Sequence, residues 1–89
     1  MTTDERLIIG LYNQEEQSLV DLYDRYSTLL WKISYRVVAD NAICEDILRQ
    51  VFQDVWAKPS DFNNGKKLSS LLIGCCLSKL DLLTLQKSS

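Results

Sequence analysis

The chain has 89 residues, 46% of them apolar and 25% charged, with a net charge of −2. That length supports one domain with a modest core and gives no reason to divide residues 1–89. One Pro and three Gly are too few for a sheet with many tight turns, and the absence of His removes the commonest general base and metal ligand.

The elements follow in order. Thr3, Asp4, Glu5 and Arg6 begin a short helix within residues 1–12, with Leu7, Ile8 and Leu11 as its apolar side. Asn13 with Glu16 reads as a capping box for a long helix over 14–39. Leu19, Leu22, Tyr23, Tyr26, Leu30, Ile33 and Val37 keep the helical period along it. Asp40-Asn41 is a break and a new cap. A third helix over 42–57 buries Cys44, Ile47, Leu48, Val51, Phe52 and Val55 and carries Asp46, Arg49, Gln50 and Gln53 on its polar side. A loop over 58–66 holds Pro59, Ser60, Asp61, Asn63, Asn64 and Gly65, with Phe62 as an anchor on the core. The last helix, 67–85, has Leu68, Leu71, Leu72, Cys75, Leu80 and Leu83 on one face. Ile73, Cys76, Leu77 and Leu82 widen that face, so this helix should be central or should meet another chain. The sum is an all-α, compact three- to four-helix bundle.

Three Cys, two of them adjacent, make a poor disulfide framework. Cys44, Cys75 and Cys76 read as reduced, buried, small apolar side chains. Without Cys-x-x-Cys spacing no metal site is expected, and nothing calls for a cofactor. The polar, acidic N-terminus is not a signal peptide, and the longest apolar-rich run, 71–77, is too short to span a bilayer. A soluble, cytoplasmic chain with no membrane partner is expected.

Catalysis has little to stand on. There is no glycine-rich phosphate loop and no nucleophile elbow. Glu15-Glu16 and Glu45-Asp46 are adjacent pairs that do not face each other on a helix, and they suit first-turn positions. Tyr23, Tyr26, Phe52 and Trp56 read as core or near-core aromatics, and Arg25 and Arg36 as partners of nearby acids such as Asp21 or Asp40. Charge is uneven: five basic against ten acidic residues through Ala57, then five Lys against two Asp. A weakly positive end on an acidic body is compatible with nucleic acid at that end.

The order of features carries the functional signal. LYDRY stands at 22–26, Tyr35-Arg36 follows, then Glu45-Asp46, Val51-Phe52 and Val55-Trp56, then the loop KPSDFNNGKK and a helix opening Leu-Ser-Ser-Leu-Leu-Ile. From about Ser18 to Leu83 the chain resembles region 2 of bacterial sigma factors, in the extracytoplasmic-function group. The resemblance implies an antiparallel hairpin of the second and third helices. Its polar side, Asp46, Arg49, Gln50 and Gln53, would dock on the clamp coiled coil of the largest subunit of core RNA polymerase. The loop would capture a base flipped from the minus-ten promoter element and the last helix would face the melted strand, with Lys58, Asn63, Asn64, Lys66, Lys67 and Lys79 as DNA contacts. An anti-sigma factor, a further sigma domain or a second copy would suit the broad apolar face, and the chain would be the first piece of a longer or split factor.

Departures from the family pattern are specific. Arg49-Gln50 stands where Gln-Glu is usual. Leu71 occupies the expected Trp position, Gly74 and Leu77 the Arg positions and Ser78 the Asn position, and the closing Arg cluster is replaced by LLTLQKSS. Phosphate contacts need cations, so promoter DNA binding by this domain alone should be weak. The alternative is a degenerate sigma-like protein-interaction or regulatory module that has lost promoter melting. An unrelated helical bundle is the third reading.

Overall fold

The structure, a computed structural model, describes residues 3–62 and 67–87, with side chains up to residue 83. Four α-helices and one 3-10 turn make up this part, with no strand among the described residues: α1 (Thr3–Tyr12), α2 (Glu16–Val38), α3 (Asn41–Ala57), the turn (Pro59–Phe62) and α4 (Leu68–Lys87). The molecule measures 44 × 22 × 19 Å.

The first boundary departs from the sequence reading. Asn13 and Glu16 form no capping box; α2 begins two residues later than expected, and its N-cap, Glu15, makes no side-chain cap bond. Instead the backbone of 13–15 closes α1. The Gln14 N–H donates to Leu11 O at 3.0 Å and the Glu15 N–H to Gly10 O at 2.9 Å, with Gln14 left-handed at φ 58°. That is a Schellman closure built on a residue other than Gly. α2 ends similarly: Ala39 is left-handed at φ 48° and its N–H donates to Tyr35 O at 2.8 Å. Asp40 then caps α3, its Oδ1 accepting from the Ile43 N–H at 3.1 Å.

The core gathers Leu11 from α1, Leu22 and Leu30 from α2, Ile47, Val51 and Val55 from α3, and Leu72 and Leu80 from α4, all essentially without exposure. Pro59–Phe62, expected as plain loop, fold as the 3-10 turn. It packs on α1, α3 and α4, and Pro59 and Phe62 are buried.

α4 buries Leu68, Leu72, Cys76 and Leu80, a strict four-residue ladder. Cys76 therefore faces inward and Cys75 lies at the margin, the reverse of the expected ranking. Leu77 and Leu82 point outward. Ser34 is the buried polar residue of the described core. Its hydroxyl donates to Leu30 O at 2.8 Å, so the Cys76 thiol donates to Ser34 Oγ across 3.1 Å. No helix among the described residues is long and apolar enough to cross a membrane.

Candidate protein-docking groove between α2 and α3

The inner stripe of α3 is the one the spacing predicts: Cys44, Ile47, Leu48, Val51, Phe52 and Val55 are all buried. Its outer residues divide into two sets. Gln50 Nε2 donates to Asp46 Oδ2 at 2.9 Å, one turn apart, so these two satisfy each other on the solvent side. Arg49 and Gln53 sit with Glu45 along the edge of a cavity of about 580 Å³. Leu19, Val20 and Tyr23 from α2 and Phe52 and Trp56 from α3 form its apolar lining. A second cavity of about 220 Å³, bordered by Tyr23, Ser27, Thr28, Trp31 and Leu48, shares Tyr23 with it.

Tyr23 divides the two cavities. The sequence places it in or near the core; it packs against the core edge but is 46% exposed. Its ring packs on Phe52 with centroids 5.0 Å apart at 56°, a tilted arrangement that fixes the ring while leaving one side open. Tyr26 and Phe52 are in the core and Trp56 packs half-buried against it, as expected. Val20, 50% exposed, was not foreseen as a site residue. Its signal was an apolar side chain lying off the Leu19–Leu22–Tyr26–Leu30 stripe and one turn before Tyr23.

Of the candidate DNA contacts, Lys58, Lys67 and Lys79 lie among the described residues. Asn63, Asn64 and Lys66 lie outside them. Lys58 and Lys67 are exposed, on either side of the 3-10 turn. Lys79 is drawn into the fold: its Nζ lies 2.7 Å from Asp54 Oδ2 on α3. The Cys75 thiol also donates to Asp54 Oδ2, at 3.7 Å, and burial pushes that thiol above its ordinary range. Among the described residues no cluster of Cys, Asp and Glu is arranged to hold a metal ion.

The arginine on α2 also has a partner that its neighbours in sequence did not suggest. Arg25 Nε lies 3.3 Å from Asp4 Oδ1, not beside Asp21, which accepts from Gln17 Nε2 at 2.9 Å. The Tyr26 hydroxyl donates to the same Asp4 oxygen at 2.7 Å, and together they pin the first turn of α1 to α2.

An open, mostly apolar groove with a Glu, Arg and Gln rim suits the side of another protein helix better than a small polar substrate. Comparison with protein-family models, with curated proteins and with solved structures returns no match to the chain.

Proposed function

We propose that this chain is a sigma-type domain that binds core RNA polymerase and takes part in transcription initiation. The observation that carries the docking part is the α2–α3 groove, where Tyr23, Phe52 and Trp56 sit beside Arg49 and Gln53. Exposed aromatic and apolar side chains with a charged rim are the composition of a protein-binding hot spot. The one-turn link at Ala39–Asp40 and the Tyr23–Phe52 ring contact favour the antiparallel hairpin that the sigma resemblance implies. The clamp coiled coil of the polymerase is then the partner helix.

Titration of the chain with core RNA polymerase tests this. Tyr23→Ala, and separately Asp46→Lys with Gln53→Ala, should each weaken binding at least about tenfold while far-ultraviolet circular dichroism is unchanged. Full binding by both variants would overturn the docking reading.

The second reading, docking retained and promoter melting lost, is favoured by one contact. Lys79 on α4 is engaged with Asp54. A labelled single-stranded minus-ten oligonucleotide separates the two. Saturable, salt-sensitive binding that weakens when Lys58, Lys66 and Lys67 become Ala supports promoter recognition. No binding at low salt supports the second reading.

A further inference from the structure

One side of α4 is left uncovered by the described residues. Leu77 is 42% and Leu82 61% exposed, and Lys67, Gly74 and Asp81 are exposed with them. A Cβ built on Gly74 would meet nothing within 4 Å. Lys67 stands immediately before α4 and starts it, its carbonyl accepting from the Leu71 N–H at 3.1 Å; carried at about 100° of turn per residue, Lys67, Ser70, Ser78 and Asp81 all fall within roughly 40° of the line through Gly74.

This side is arranged symmetrically along the helix. Ser70 and Ser78 each stand four residues from Gly74, and Lys67 and Asp81 each stand seven. We infer that the outer side of α4 is the contact between two copies of this chain, packed antiparallel about a two-fold axis level with Gly74. A two-fold contact must be self-complementary, and this one is. Lys67 of one copy comes level with the partner's Asp81, and the reciprocal pair forms at the other end. A parallel pair would set Lys67 against the partner's Lys67 and Asp81 against the partner's Asp81. At the centre, Gly74 lets the two backbones approach closely. Leu77 comes level with the partner's Leu71, so apolar side chains flank the axis. Single-helix contacts fall below the roughly 800 Å² per partner of a standard stable interface, so the dimer is weak and reversible.

None of these residues lines the α2–α3 groove, so the inference stands whether or not polymerase docking holds. Sedimentation velocity of the full chain over a range of concentrations tests it. A monomer–dimer equilibrium is expected, weakened at least about tenfold by Gly74→Gln, for which the monomer has room. Lys67→Glu and Asp81→Lys should each weaken the dimer, and the two together should restore it, with helicity unchanged throughout. A chain that stays monomeric at the highest concentration overturns the inference. So does a dimer that Gly74→Gln leaves intact, or one that the double charge swap fails to restore.

Discussion

Lys79 Nζ lies 2.7 Å from Asp54 Oδ2, an ion pair that joins α4 to α3. The lysine side chain is only 19% exposed and the carboxylate 51%. A lysine held this way already has its charge matched by a carboxylate, so a phosphate would compete with Asp54 for it. Half-exposed pairs contribute little to stability, so Lys79→Met should cost less than about 1 kcal/mol in urea unfolding. Its effect on single-strand DNA binding should be smaller still. Each lost phosphate contact lowers the salt slope by about 0.7; Lys58→Ala and Lys67→Ala should do so and Lys79→Met should not. An equal drop in slope for all three would show that Lys79 leaves Asp54 on binding.

Two glycines on helices should respond in opposite ways to the same change. A Cβ on Gly10 would press into Ser18, whose own Cβ is 2.7 Å away, whereas Gly74 has open space. Ala favours a helix over Gly by about 1 kcal/mol. At Gly10 overpacking of about 1–3 kcal/mol outweighs that gain. Gly10→Ala should therefore lower the thermal midpoint, and Gly74→Ala should raise it, in dilute samples. A rise for both would mean that α1 can shift away from α2 without loss.

Ala39 offers the reverse substitution. It is exposed and left-handed at φ 48°, a conformation that costs an L-residue about 1–2 kcal/mol and Gly almost nothing. Ala39→Gly should stabilise by about 1 kcal/mol, a rise of roughly 4–8 °C in midpoint for a domain of this size. An unchanged or lower midpoint would mean that the greater freedom of the unfolded chain cancels the relief.

Alkaline pH should unfold the protein by a traceable route. Burial pushes the Tyr26 hydroxyl above its ordinary range, and burial does the same to the Cys44, Cys75 and Cys76 thiols. Each group thus binds its proton more tightly in the folded chain. The stability this supplies is complete below the unfolded values and is lost as pH rises through the raised folded ones. The urea midpoint should be flat near neutrality and fall above about pH 9, first through the thiols and then through tyrosine. Tyr26→Phe should remove the later part of the fall. A midpoint unchanged between neutral pH and pH 11 would contradict this.

How far the sequence could be read depended on whether the signal was local. The inner stripe of α3 was legible because one apolar side contrasts with one polar side, and the Asp40 cap because its bond spans three residues. α4 resisted because apolar residues surround it, so the pattern could not tell whether Cys75 or Cys76 turns inward. The start of α2 was misread because Asn13 looks like a cap, while the left-handed residues that close the preceding helices are Gln14 and Ala39 rather than Gly. Arg25–Asp4 and Lys79–Asp54 join residues far apart in the chain, beyond any spacing rule. The α2–α3 groove belongs to neither helix alone; Tyr23 looks like an ordinary member of a helical stripe, and Val20 like a stray apolar residue beside it, until α3 is set against them.

The 3-10 turn bears on how long the native state lasts. α1 with α2, and α2 with α3, are neighbours in sequence, and contacts between neighbours close quickly. The turn, with Phe62 buried, instead packs back on α1 as well as on α3 and α4, completing a long loop. Contacts of that kind are expected late on the folding path. Interactions formed after the transition state slow unfolding with little effect on the speed of folding. Four residues at Pro59–Phe62 would then act as a kinetic clasp, one whose loosening shortens the lifetime of a bundle that still assembles at its usual rate.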